Sequence, residues 1–278
     1  MKTRTILSAC LFLPFLFSIH LQAQTPYGNN PQAGHFVQSD DARIYYEVYG
    51  SGQPLLLIHG SLYGYISEFE QILPTLIANY KVIAVALRGH GKSGIGDQEY
   101  SYGLFAEDMI DVLDAENIDR AHVMGFSAGA ITAVKLAADF PERVLKVVSI
   151  AGALGPDDHG EVSEDASAES FVASNKNFVE QRQALMPEPE RFAEFYDKLI
   201  RLGHGPAWIS DQDASQISAP LLVVGGDSDS YFPVEAFLRM HSVIPGSRLL
   251  ILPKNGHVDA LLNRAMYVDF ALPFLEEE

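Results

Sequence analysis

A chain of 278 residues with 47% hydrophobic content is long enough to bury a sizeable core, as one large domain or a domain with an insertion. Its formal charge of −17 disfavours nucleic acid and anionic membranes as partners, and argues against a highly anionic substrate. The chain opens on a basic start, Lys2 and Arg4, followed by an almost wholly apolar run from Ile6 to Ile19 and the small-residue ending Leu21-Gln22-Ala23. That is the pattern of a secretory signal peptide over residues 1–23, cut after Ala23; the apolar run is too short to span a bilayer comfortably. Cleavage removes Cys10, the only cysteine, so the mature chain has no disulfide and no cysteine chemistry. It also removes two cations and no acids, taking the charge to about −19. The expected location is outside the cytoplasm, periplasmic or secreted, with no membrane partner after cleavage.

The remaining residues, 24–278, read in order as follows. Gln24 to Gly34 is rich in Gly, Pro and Asn and reads as a flexible lead-in. Strands are expected at Arg43 to Tyr49, Leu55 to Ile58, Lys81 to Val85, Ala121 to Met124, Lys146 to Ile150, Ala219 to Val224 and Ser247 to Leu252. Helical spacing of Leu104, Phe105, Met109, Ile110 and Leu113 predicts a helix over Tyr102 to Glu116, and a second runs from Ala130 to Phe140. Strands alternating with helices predict an α/β fold: a mostly parallel twisted sheet with helices on both faces. The stretch Gly152 to Ser210 breaks that rhythm. After an acidic loop-like part it offers two helical runs, Phe171 to Leu185 and Pro189 to Leu202, the second begun by a proline well suited to a first helical turn.

The chemistry concentrates at Gly125-Phe126-Ser127-Ala128-Gly129, between a predicted strand and a predicted helix. Strand, Gly-x-Ser-x-Gly, helix is the signature of a nucleophile elbow, in which small residues flank the serine because strand and helix nearly touch. Downstream, Gly225-Gly226-Asp227-Ser228-Asp229 follows a strand, and Pro253-Lys254-Asn255-Gly256-His257 follows the next. A serine needs a base, His257 is the candidate, and an acid must orient the ring. Asp227 and Asp229 both compete for that place. No spacing among the remaining histidines suggests a metal site, and no cofactor is called for. Gly91-Lys92-Ser93 looks like the end of a phosphate loop, but the glycine required upstream is Ala86.

With His59-Gly60-Ser61 behind the strand Leu55 to Ile58, and Arg88-Gly89-His90-Gly91-Lys92-Ser93 behind the next, the sequence resembles the α/β-hydrolase family from about Ile44 to the C-terminus. The resemblance implies Ser127 as nucleophile, His257 as base, and Asp229 as the acid, because the family takes the last Asp of a Gly-x-x-Asp loop. It implies an oxyanion hole from the N–H groups of Ala128 and Ser61. It places a short helical cap at about 153–210, whose aromatics either line an acyl pocket or hold the cap to the body. The function implied is a serine hydrolase that cleaves carboxylic esters of small molecules through an acyl-enzyme. The same triad also suits carbon–carbon bond hydrolases, lactonases and haloperoxidase-like enzymes, and some relatives are binding proteins without catalysis. Oligomeric state is not legible.

Overall fold

The computed structural model describes residues 25–159, 167–205 and 208–277; the expected signal peptide, with Cys10, lies outside them. Among the described residues, eight strands form one sheet: β1 (Gly34–Ser39), β2 (Ala42–Tyr49), β3 (Gln53–Ile58), β4 (Tyr80–Val85), β5 (Ala121–Phe126), β6 (Val144–Ile150), β7 (Leu221–Gly226) and β8 (Arg248–Leu252). Their spatial order is β1-β2-β4-β3-β5-β6-β7-β8. β1 and β2 pair antiparallel with each other, and β2 antiparallel with β4; every other pair is parallel. All six residues of β5 and of β7 are buried, as expected of parallel strands covered on both faces.

The helices are α1 (Leu73–Ile77), α2 (Tyr102–Ala115), α3 (Ala128–Asp139), α4 (Ala168–Ser174), α5 (Lys176–Gln183), α6 (Phe192–Gly203), α7 (Asp211–Ala214), α8 (Val234–Val243) and α9 (His257–Leu262), with a further helical run from Arg264 to Glu276. One core layer packs α2, α3 and α8 on the sheet through Phe105, Met109, Ile131 and Phe237. The other packs α1, α9 and the C-terminal run through Leu73, Leu76, Leu261 and Phe274. The start of α2 is set by Ser101, whose side chain accepts the N–H of Leu104 at 3.0 Å.

Three expectations are corrected. The lead-in is tied down: Glu47, fully buried in β2, accepts the N–H groups of Gly28 and Asn30, each at 2.7 Å, and the Tyr65 hydroxyl donates to the Gly28 carbonyl. The single helix expected over Phe171 to Leu185 is two, α4 and α5. The break falls at Asn175, whose side-chain amide donates to the Phe171 carbonyl at 3.0 Å; such local side-chain bonds compete with the helical ladder. Pro189 opens a 3₁₀ turn, Pro189–Arg191, and α6 itself starts at Phe192.

Candidate active site

Ser127 sits between β5 and α3 with φ 53° and ψ −119°, a conformation a serine adopts only when its surroundings impose it. The surroundings are visible. Its N–H donates to the Ile150 carbonyl at 2.9 Å, and its own carbonyl accepts from Ala130 and Ile131. A β-carbon on Gly125 would stand 2.1 Å from the Gly129 carbonyl oxygen, and one on Gly129 would stand 2.2 Å from the Ile58 carbonyl oxygen. Both glycines are therefore required by close backbone approach, to α3 in one case and to β3 in the other.

His257 is the first residue of α9. Its Nε2 accepts from the Ser127 hydroxyl at 3.0 Å, and its Nδ1 donates to Asp229 Oδ2 at 2.8 Å. The second Asp229 oxygen accepts the N–H groups of Tyr231 (2.8 Å) and Phe232 (3.0 Å), so the carboxylate is clamped by the backbone of its own loop. An acceptor held at Nδ1 fixes the tautomer and leaves a lone pair on Nε2 facing the hydroxyl. Asp227 is engaged elsewhere: its Oδ1 accepts from the Lys254 N–H (2.7 Å) and the Ser228 hydroxyl (2.9 Å), joining the loops after β7 and β8. The structure thus brings together Ser127, His257 and Asp229, and keeps Asp227 apart.

Behind β3, His59 is fully buried. Its Nδ1 donates to the Gly60 carbonyl (2.7 Å) and its Nε2 accepts from the Leu87 N–H (3.0 Å). Burial holds its pKa well below the ordinary value, so the ring is a neutral brace between two loops. The Gly60 N–H is taken by Glu68 Oε2 at 2.8 Å. Burial pushes the Glu68 carboxyl up to about 7. Ala128 begins α3, so its N–H is among those a helix leaves without an internal acceptor. Among the described residues, neither the Ser61 N–H nor the Ala128 N–H has a protein acceptor, and both residues line the same cavity as Ser127. From α5, Arg182 donates to the Tyr63 carbonyl at 2.5 Å and lies over the Tyr65 ring, fastening this helix to the His59–Tyr65 loop.

The cavity measures about 480 Å³. Leu199, Ile200 and Leu202 of α6 form part of its wall, with Tyr231, Phe232 and Val258 near the imidazole. The aromatics of α4–α6 are not among its described lining. Phe171 packs at a tilt against Tyr196, and Phe195 meets His90 edge-on, so these rings hold the helices to one another and to the body. Tyr231, Phe232, Glu68 and His159 are among the cavity residues that escaped the sequence reading. Tyr231 and Phe232 were traceable, being an aromatic pair directly after the acidic loop. Glu68 and His159 carried no signal beyond their residue type. Among the described residues, no group of His, Cys, Asp and Glu side chains is arranged to hold a metal.

The model of the alpha/beta hydrolase family matches residues 55–270. A 2-hydroxy-6-oxo-6-phenylhexa-2,4-dienoate hydrolase of Comamonas testosteroni is 26% identical over 262 residues, covering 83% of this chain and 91% of that protein. A pimeloyl-[acyl-carrier protein] methyl ester esterase of Aeromonas hydrophila is 24% identical over 259 residues, covering 82% and 98%. Among solved structures, a serine hydrolase involved in carbazole degradation (CarC) superimposes with a TM-score of 0.71 at 24% identity, covering 87% of this chain and 98% of that one.

Proposed function

The chain belongs to the α/β-hydrolase family, and on that premise we propose that it is a serine hydrolase of small-molecule carboxylic esters that works through an acyl-enzyme on Ser127. The observation that carries the reading is the unbroken chain from Ser127 to His257 to Asp229, at 3.0 Å and 2.8 Å, opening on a cavity of about 480 Å³. His257 takes the hydroxyl proton as Ser127 Oγ attacks the ester carbonyl, while Asp229 steadies the imidazolium that forms. The developing oxyanion is received by the free N–H groups of Ala128 and Ser61, a kind of donor whose loss costs about 10²–10³ in rate. His257 then gives its proton to the leaving alcohol, and a water activated by the same ring releases the acid. No step calls for a cofactor. The helices between β6 and β7 serve as a cap, and the N-terminal leader directs the protein to the periplasm or the medium.

A second reading, a carbon–carbon bond hydrolase, has one specific support: the Comamonas relative is named as the hydrolase of a 2-hydroxy-6-oxo-dienoate, a compound with no ester bond to cleave. The lining favours the ester. Among the described residues it holds Glu68 and Asp157 but no Lys or Arg to meet a substrate carboxylate, and the chain is strongly acidic. The test is a fluorophosphonate probe together with a panel of p-nitrophenyl esters, a lactone, a thioester and a dienoate. Wild type is expected to label and to turn over the esters fastest. Ser127→Ala should not label, and its ester turnover should fall by up to about 10⁶-fold. Wild type that does not label overturns the serine mechanism. Labelling with a dienoate as the best substrate selects the second reading.

A further inference from the structure

We propose that His159 is a fixed, uncharged hydrogen-bond donor in the cavity wall, and that it selects substrates carrying a second acceptor oxygen away from the scissile carbonyl. The idea deepens the ester-hydrolase reading by naming a feature of its substrate, and it rests on that reading for the cavity's role.

The placement of His159 is over-determined. It follows the turn Pro156–Asp158, and its N–H donates to the Pro156 carbonyl at 3.1 Å. The neighbouring Asp158 carboxylate is buried and accepts from the N–H groups of Leu154 (3.1 Å) and Gly155 (2.9 Å) and from Arg239 Nη1 (2.6 Å), which locks the turn. The imidazole is wedged between Phe232 (centroids 4.5 Å apart) and Trp208 (5.1 Å). Both walls are tied to the body. Trp208 donates its indole N–H to the Leu202 carbonyl at 3.0 Å, and the backbone N–H of Phe232 belongs to the clamp on Asp229. Phe232 also faces the His257 ring at 5.7 Å, so one phenyl ring separates the two imidazoles.

Protonation follows from the surroundings. His159 Nδ1 is buried and, among the described residues, has no hydrogen-bond partner. A proton there would be an orphan donor, which is dearer to bury than an idle lone pair. The proton of the neutral ring therefore belongs on Nε2. The charged ring, with both nitrogens protonated, is disfavoured for the same reason, and burial with the nearby His257 and His204 lowers the His159 pKa against the smaller opposing pull of the Asp158 and Asp229 carboxylates. Because the residue lines the cavity and Nδ1 is shut away, the edge turned to the cavity carries Nε2. His204, close by, uses its Nδ1 to donate to the Ile200 carbonyl at 2.8 Å. A donor so placed seeks an acceptor and gains nothing from a hydrocarbon. A keto, hydroxyl or ether oxygen fits it. A carboxylate does not fit as well, since the described lining supplies no cation to join it.

The mechanism makes no use of this ring, so binding and turnover can be separated. Ser127→Ala protein would be titrated calorimetrically with methyl hexanoate, with the methyl oxohexanoates carrying the keto group at successive carbons, and with methoxyethyl esters that place the oxygen in the alcohol half. One position is expected to bind about ten-fold tighter than its hydrocarbon counterpart, the size of a single good hydrogen bond. Adding His159→Phe should bring that ratio to about one. His159→Gln, which puts an amide donor near the same place, should restore part of it and guards against a phenylalanine variant that folds poorly. A ratio near one at every position with His159 present overturns the proposal, as does a preference that survives His159→Phe. The titrations read the preference without catalysis. Failure of the ester-hydrolase reading shows separately, as absence of fluorophosphonate labelling in the Ser127 protein.

Discussion

Asp229 and Asp227 are two residues apart and chemically identical, yet their hydrogen bonds divide the work between them. Asp229 carries the imidazole on one oxygen and two backbone donors on the other, while Asp227 bridges the ends of β7 and β8. In Asp229→Asn the amide can present an N–H to Nδ1, which would place the proton on the wrong nitrogen. Ester turnover should then fall by about 10⁴-fold. Asp227→Asn keeps an acceptor for Lys254 and should cost less than about ten-fold, a difference that kcat on p-nitrophenyl acetate resolves; the opposite ranking would reassign the acid. Glu68 makes a separate prediction. Its native pKa of about 7 lies above the ordinary 4.5, so between those values the folded protein keeps a proton that the unfolded chain has lost. Stability from this group is complete below about pH 4.5, declines as pH rises toward 7, and is level above. Glu68→Gln keeps an acceptor for the Gly60 N–H and removes the slope. Its urea midpoint should match wild type near pH 4.5 and exceed it near pH 8. A gap of the same size at both pH values would mean that Glu68 titrates normally.

Elements far apart in the chain are joined by one buried cation. Arg88, just beyond β4, is fully buried and donates to both Asp108 oxygens on α2 (2.8 and 2.9 Å), to the Ser39 carbonyl at the end of β1 (3.1 Å), and to Asp41 before β2. Asp108→Ala would strand that guanidinium away from water, a loss of about 3–5 kcal/mol by chemical denaturation. A loss under about 1 kcal/mol would show that Asp41 alone suffices. The Arg88 loop could be recognised in the sequence, but its partners could not, because contacts between distant segments leave no mark on local spacing. The same distinction runs through the other elements. Strands β3 to β7 were legible because burial on both faces makes each a near-continuous apolar run. β1 was missed because Gly34–Ser39 is an edge strand with most side chains outward, and its place is decided by pairing with β2. The elbow was legible since backbone clearance at Gly125 and Gly129 dictates residue type. Glu68 and His159 were not, since which polar side chain reaches a cavity depends on the path of loops that no periodicity encodes.

At the scale of the whole molecule, two core layers on one sheet supply burial enough for a chain without disulfides. Among the described residues no helix is long and apolar enough to cross a membrane. The proposal of export rests on the first 23 residues. Cleavage after Ala23 would leave only Gln24 to Tyr27 ahead of Gly28, whose N–H is the first held by Glu47. If the leader is genuine, the protein made with its full sequence in an exporting bacterium should be recovered outside the cytoplasm, beginning at Gln24. It should show no titratable thiol in denaturant, since Cys10 departs with the leader. Intact mass and thiol titration read both outcomes from one sample. A chain that retains Met1 and one thiol, with activity confined to the cytoplasm, would place the enzyme inside the cell and turn the apolar run into a segment that needs another explanation.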